Sequence, residues 1–460
     1  MSDVTDLYKF GVLPKTKLER MHRRPKIAVA GGSISNRACY SLITTTDAQN
    51  QTFAPHNWLE WLQAFTGQPF QIVAMAGEGG RHITEVVTKF PTDVMQHKPD
   101  VVILGSDAIG NYLYNAGGAT VDLAMGYLAQ VHQMCRSIGA HLVVWDHPPN
   151  VQLNAANDAS GAKTANTLEY NRRLYAYASE NDDVGIVPFG RHVDLAAAGN
   201  RYNTTLNAST TATEWTHDGT HPHPKLAIDL ATAMETYFSK YQLQKNWFEH
   251  RALIDPQSAI TNPLCYGTGG TAANGASGTV AANCTLDAKS GAGTSVVGSK
   301  VARTDIGDGG EWQRVVATAW QQDVDFIFAG DASFPSNFGV GTPVRALVEV
   351  QLLSAPTNFR GFSVELSFGG AKTIAGFSQS LTGGFAQLGP SGPYIPLNKT
   401  MWLSTAIDEI PATFSAFQVK LIAARNGTAA TAMSVDFRIG RVVIVPEDII
   451  PVQQFVQTVP

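Results

Sequence analysis

The chain changes its hydrophobic grammar part-way along, and that change limits what it can fold into. Up to about residue 240, short apolar runs alternate with helical patterns. The runs are "KIAVA" (26–30), "FQIVAMA" (70–76), "DVVILG" (100–105), "HLVVWD" (141–146) and "VGIVPF" (184–189). Each is β-branched, apolar on both faces, and ends at Gly, Asp or Pro. Buried parallel strands have this pattern. Between them, "NWLEWLQAF" puts Trp58, Leu62 and Phe65 on one helical stripe. "VDLAMGYLAQVHQMCRSIGA", "LEYNRRLYAYASEN" and "KLAIDLATAMETYF" are further helical stretches. Strand and helix in alternation predict a three-layer α/β/α unit with a parallel sheet.

From about residue 262 the period is two. Phe362, Val364, Leu366 and Phe368 alternate with Ser363, Glu365 and Ser367. Met433, Val435, Phe437 and Ile439 repeat the pattern, as do Val344, Ala346, Val348, Val350 and Leu352. An antiparallel β-sandwich follows, most simply a jelly roll, with its polar residues outside. "GTGGTAANGASG" has no Lys-Ser/Thr ending and heads no βαβ unit, so it reads as turn and loop rather than as a phosphate cradle. The expected layout is an extension (1–25), an α/β domain (26–240), a linker (241–261) and a β-sandwich (262–460). A chain of 460 residues has room for two such cores.

The charge balance narrows the partners. The formal net charge is -5, and charged residues are only 15% of the chain. No basic run exceeds "MHRRPK", which argues against nucleic acid. No stretch approaches 18 apolar residues, so no membrane-spanning helix is expected. The first twenty residues lack an apolar core, so no Sec signal is expected. Of the four cysteines, Cys39 and Cys135 read as small buried hydrophobes. Cys265 and Cys284 flank the Gly-rich stretch and either pair or stay free.

Ser33 follows the first strand directly, in "AGGSIS". Ligands of open α/β sheets bind outside the carboxyl ends of the strands. Two more polar turns, "AGEGG" and "GSDAIGN", end the second and third strands there. Downstream, "EWTHDGTHPHPKLAIDL" offers Asp218 and His221, with Pro222 holding His221 out of a helix. Asp218 on Nδ1 would fix the tautomer, and Nε2 would face the serine. That pairing makes a hydroxyl nucleophilic. The bland reading of Ser33 is a helix N-cap, and the two roles can coexist. His217, His221 and His223 lack a matching Cys or acidic cluster, so no metal is expected. Nothing in the chain calls for a cofactor. Trp312 and Trp320 read either as core or as sugar platforms. Asp146 and His147 read as structural.

Here the chain resembles the SGNH (GDSL-type) esterase family over residues 26 to 240. Four short motifs carry the resemblance. "GGS" (31–33) keeps the serine, with Gly32 where an aspartate usually stands. "MAGEGG" (75–80) gives Gly77 and Gly80, with Met75 in place of the usual asparagine. "GSDA" (105–108) puts Asp107 where an asparagine belongs. "DGTH" (218–221) matches the family's D-x-x-H. The resemblance implies a Ser33, Asp218, His221 triad. It also implies an oxyanion hole of the Ser33 N–H, the Gly77 N–H and a side chain. That side chain is a protonated Asp107 or the amide of Asn111, or the site is weak or dead.

The two-part layout is similar to bacteriophage tail proteins of this family. It implies deacetylation of a bacterial surface polysaccharide (O-antigen or capsule) by a homotrimer that assembles with other phage tail proteins. The chain would then sit in the virion tail and act outside the host cell. An exported carbohydrate esterase and an inactive, glycan-binding tail protein are the alternatives.

Overall fold

The computed structural model describes residues 25–35, 58–67, 69–148, 153, 157–189, 224–241, 260–305, 310–330, 339–369, 371–376, 395–414, 416–425 and 431–446. They cluster into two compact units. The first draws on 1–36, 69–203 and 233–244, and the second on 37–68, 204–232 and 245–460.

The first unit is α/β. Its strands are β1 (Lys26–Gly31), β2 (Gln71–Gly77), β3 (Val101–Leu104), β4 (His141–Trp145) and β5 (Val184–Val187). All neighbours are parallel, in the order β2-β1-β3-β4-β5. All five apolar runs have become strands, and β3 and β4 are buried along their whole length. The helix α1 (Trp58–Thr66) follows the Trp58, Leu62, Phe65 stripe but clusters with the second unit. The helices α2 (Ile83–Asp93), α3 (Asp107–Asn115), α4 (Val121–Ser137) and α5 (Ala162–Ser179) pack on one another along the sheet. α2 and α3 were not singled out in the sequence, although α2 buries Ile83, Val86 and Phe90 along one stripe. The last helix, α6 (Pro224–Ser239), sets Phe238 against Phe70 at 4.9 Å between ring centroids. Its Tyr237 hydroxyl meets His141 Nε2 at 2.7 Å.

The second unit is β-rich. Its first strands are β6 (Thr271–Ala273), β7 (Ala276–Gly278), β8 (Cys284–Asp287), β9 (Ser295–Ala302) and β10 (Glu311–Trp320). Then come β11 (Val324–Ala329), β12 (Pro343–Leu352), β13 (Phe359–Phe368), β14 (Lys372–Gly376) and β15 (Met401–Ser404). The last are β16 (Asp408–Glu409), β17 (Gln418–Arg425) and β18 (Met433–Pro446). One sheet runs β15-β12-β18-β10-β9-β7, with β16 beside β12, and the other runs β14-β13-β17-β11-β8-β6. Pairing is antiparallel except at one edge of each sheet, where β7 joins β9 and β6 joins β8 in parallel. The Gly-rich stretch read as pure loop therefore supplies two edge strands. Phe362 of one sheet stacks edge-on against Phe437 of the other at 5.2 Å, so the apolar faces meet as a sandwich.

The outer faces depart from the expected polar surface. Leu347, Trp402, Val443 and Val445 form a buried cluster outside the first sheet. α1 packs on β15 of that sheet, and Lys399 Nζ lies 4.3 Å from the centroid of the Phe65 ring. Glu349, also outward by alternation, is buried between two guanidiniums. Arg303 approaches it at 2.6 and 3.0 Å, and Arg441 at 2.8 and 3.0 Å. Trp312 and Trp320 are core residues rather than sugar platforms. Arg303 and Arg438 lie 3.9 and 4.4 Å from the centroid of the Trp312 ring, and Trp320 Nε1 donates to the Ala288 carbonyl at 2.9 Å. Cys265 and Cys284 are buried free thiols that touch. The hydrogen bond between the Cys265 thiol and Cys284, and then burial, push the Cys265 thiol well up.

Candidate active site

The sheet order places the site. β2 lies on one side of β1 and β3 on the other, so connections leave β1 and β3 in opposite directions. Such a switch point opens a crevice at the carboxyl ends of the two strands. Ser33 sits there, in the turn that follows β1, and is 6% exposed. Asp107 opens α3 just beyond β3.

Asp107 and that turn are bonded together. The Ser35 N–H donates to Asp107 Oδ2 at 3.0 Å, and the Ser35 hydroxyl donates to Oδ1 at 2.7 Å. The Ala108 N–H adds a third bond to Oδ1 at 3.1 Å. Both carboxylate oxygens therefore accept. Donors of the β1 turn and of α3 thus surround the Asp107 side chain. Ser35 itself was missed in the sequence. Its one signal was a second hydroxyl two residues beyond Ser33.

Three glycines, Gly31, Gly32 and Gly105, make this close approach possible. A Cβ on Gly105 would run into Ser35 Oγ and Asp107 Oδ1. A Cβ on Gly32 would lie 2.9 Å from Asp107 Oδ2 and 3.0 Å from Asn111 Nδ2. Asn111 stands one turn along α3, on the same face as Asp107. Its Nδ2 donates to the Arg81 carbonyl at 3.1 Å. An amide nitrogen carries two hydrogens, and that bond uses one.

The turn after β2 completes the edge. The Glu78 N–H donates to the Gly31 carbonyl at 3.1 Å, which ties the Gly77 turn to the end of β1. Arg81 is buried and braces this turn. Its Nη1 reaches the Ala76 carbonyl at 2.7 Å and Asp93 Oδ2 at 3.2 Å, and its Nε reaches Glu78 Oε2 at 3.1 Å. Burial works to raise the Glu78 carboxyl, but the bond and charge of Arg81, with Lys89 behind, outweigh it and hold the carboxyl below its usual range. Arg81 was a second residue that the sequence did not single out.

Asp146 and His147 bond to the fold around them. Tyr175 donates to Asp146 Oδ2 at 3.0 Å. His147 Nδ1 lies 2.6 Å from the Pro148 carbonyl, so that nitrogen carries the proton. Burial pushes the imidazole down to about 4. Asn171 bonds the His147 backbone on both sides, at 2.9 and 3.0 Å.

Asp218 and His221 lie outside the described residues, as do His217, His223 and Cys39. Ser33, Gly77, Asp107 and Asn111 lie within them, in the turn after β1, at the end of β2 and on α3 beyond β3. Among the described residues, no group of three or more His, Cys, Asp or Glu side chains is placed to hold a metal ion. No described helix is long and apolar enough to cross a membrane.

No protein-family model matches the chain, and no curated protein matches it in sequence. Solved structures do resemble it. A GDSL-like lipase from Bacteroides thetaiotaomicron is 15% identical, with 51% of this chain covering 95% of that one at a TM-score of 0.32. An acetyl xylan esterase is 17% identical over 46% of this chain and 98% of its own, with a TM-score of 0.32. A variant of an acetyl-xylooligosaccharide esterase from Geobacillus is 16% identical over 47% of this chain and 95% of its own, with a TM-score of 0.35.

Proposed function

We propose that the chain is a serine ester hydrolase of the SGNH type, and that it removes acyl groups, chiefly acetyl, from bacterial surface polysaccharide. The observation that carries this reading is the placement of Ser33. It stands at the switch point of a parallel sheet, flanked by the Gly77 turn and by an amide donor on Asn111.

In this reading the Ser33 hydroxyl attacks the ester carbonyl and its proton passes to His221 Nε2. Asp218 holds the imidazole by Nδ1 and stabilises the imidazolium. The negative oxygen of the tetrahedral intermediate is met by the Ser33 N–H, the Gly77 N–H and the second N–H of Asn111. Collapse expels the sugar alcohol, which takes the proton from His221. Water, deprotonated by the same imidazole, then frees the acid and restores Ser33. Every step is proton transfer and acyl transfer, so no cofactor or metal is required.

The wider assignment rests on the layout described from the sequence. An acyl hydrolase followed by a β-rich unit suits a homotrimeric tail protein of a bacteriophage, with the β-rich unit gripping glycan or neighbouring tail proteins. An exported esterase with a binding module has the same parts. One observation favours a second reading, a glycan-binding protein without activity: the family's asparagine position holds Asp107, whose oxygens accept.

The test is turnover of p-nitrophenyl acetate, and acetate release from O-acetylated polysaccharide, by the full chain and by Ser33→Ala. The variant is expected to keep its melting temperature and lose on the order of a million-fold in kcat. Equal rates in the two proteins would remove Ser33 from the mechanism. Inactivity of the unsubstituted chain on both substrates would leave the glycan-binding reading.

A further inference from the structure

We propose that Asp107 is the positioning residue of the nucleophile turn, and that it fills the place a carboxylate on residue 32 would otherwise take. This rests on the esterase reading of Ser33 and goes beyond it.

The geometry of three residues leads there. Ser33 lies between Gly32 and Ser35 in the turn that follows β1. The Asp107 carboxylate takes both the N–H and the hydroxyl of Ser35, so it grips the turn on the far side of the nucleophile. On the near side, the Cβ direction of Gly32 points into the same carboxylate, 2.9 Å from Oδ2 and 3.1 Å from Cγ. Positions 32 and 107 thus reach for one volume, and it holds one carboxylate. In the family that the chain resembles, the residue before the serine is the aspartate and the helix position carries an amide. Here the acid stands on the helix, the residue before the serine has no side chain, and the amide stands one turn further along α3 at Asn111. The exchange keeps one acceptor for the turn and one donor for the site.

A carboxylate that accepts charge-assisted bonds from a turn fixes it more firmly than a neutral group. Fixing matters here, because a misplacement of about 1 Å at a reacting atom costs about a hundred-fold in rate. A merely structural role would act on stability and leave the split between kcat and KM untouched.

The experiment measures kcat and KM on p-nitrophenyl acetate, with melting temperature, for the full chain. The variants are Ser33→Ala, Ser35→Ala, Asp107→Asn, Gly32→Asp, and the double Gly32→Asp with Asp107→Asn. Asp107→Asn is expected to lose about a hundred-fold in kcat, with KM within about two-fold. Gly32→Asp is expected to fall at least as far, since two carboxylates then compete for one place. The double variant is expected to recover about ten-fold or more over Gly32→Asp, because it returns one carboxylate to the turn. Ser35→Ala, which removes a single hydroxyl, is expected to fold and to lose about ten-fold in kcat, and it stands even if Asp107→Asn fails to fold. A wild-type kcat in Asp107→Asn or in Ser35→Ala overturns the proposal. So does a double variant no better than Gly32→Asp. An inactive unsubstituted chain, or a fully active Ser33→Ala, strikes the esterase reading instead and takes the positioning role with it.

Discussion

Ser35 gives both its backbone N–H and its hydroxyl to the carboxylate of Asp107, 72 residues further along the chain. The two bonds join the turn after β1 to the first residue of α3. They hold because β1 and β3 are sheet neighbours, paired from Ile27↔Val101 to Ala30↔Leu104. A local sequence pattern in one turn thereby becomes a fixed object at the switch point. Asp107 also stands in the first turn of α3, where a negative group meets the positive end of the helix dipole.

In the esterase reading proposed above, Asn111 supplies the side-chain donor to the developing oxyanion. Removing one such donor costs about a hundred- to a thousand-fold in kcat. Asn111→Ala is therefore expected to lose that much on p-nitrophenyl acetate, with KM little changed. Asn111→Asp is expected to do worse, since it puts an acceptor where a donor is needed. Steady-state kinetics with a melting curve decide it. A wild-type kcat in Asn111→Ala would leave the hole to the backbone N–H groups of Ser33 and Gly77 alone.

The sheet was legible because its strands are buried on both faces. A run such as Val101–Leu104 has no polar position at which a helix pattern could hide. The long strands of the sandwich were legible for the opposite reason, their strict alternation. The site was half legible. Ser33 and the three polar turns show in the sequence, because loops at the ends of parallel strands fall on one edge. The role of Asp107 did not show. Its partners are a backbone N–H and a hydroxyl far away in sequence, and the reason for Gly32 is a volume filled from another helix. Glu349 shows the same limit: alternation tells which face a residue points to, not what lies on that face.

Two buried histidines make the α/β unit sensitive to mild acid. Burial, helped by the charge of Lys240, pushes His141 down to about 4, and burial pushes His147 down to about 4 as well. An unfolded chain binds those protons near the ordinary value of about 6.5. Between about pH 6.5 and 4 the unfolded state therefore holds more protons, and stability falls as pH falls. At pH 5 each histidine is expected to cost on the order of 2 kcal/mol relative to pH 7. Urea unfolding at pH 7 and pH 5 measures this. A midpoint that does not move over that interval would mean that both rings titrate normally in the folded protein.

Glu349 supplies a sharper test in the β-rich unit. It is 1% exposed and bonds both Arg303 and Arg441, while Arg303 also reaches Asp305 at 2.7 and 3.1 Å. Burial works to raise the Glu349 carboxyl, but the two guanidiniums outweigh it and hold it below its usual range. Removing one charge of a buried ion network strands the others, at a cost of roughly 3–5 kcal/mol. Replacing the whole group by apolar residues of similar volume is often close to neutral. Glu349→Gln is therefore expected to lower the stability of this unit by about that amount. A triple variant, Arg303→Met, Glu349→Leu and Arg441→Met, is expected to lose less than Glu349→Gln alone. Denaturant unfolding followed by tryptophan fluorescence reads the difference, since Trp312 and Trp402 lie against Arg303 and Arg441. The control is Asp305→Asn, which touches Arg303 at the wetter end and is expected to cost about 1 kcal/mol or less. If Glu349→Gln costs no more than that control, the network contributes little, and the burial of Glu349 is tolerated rather than required.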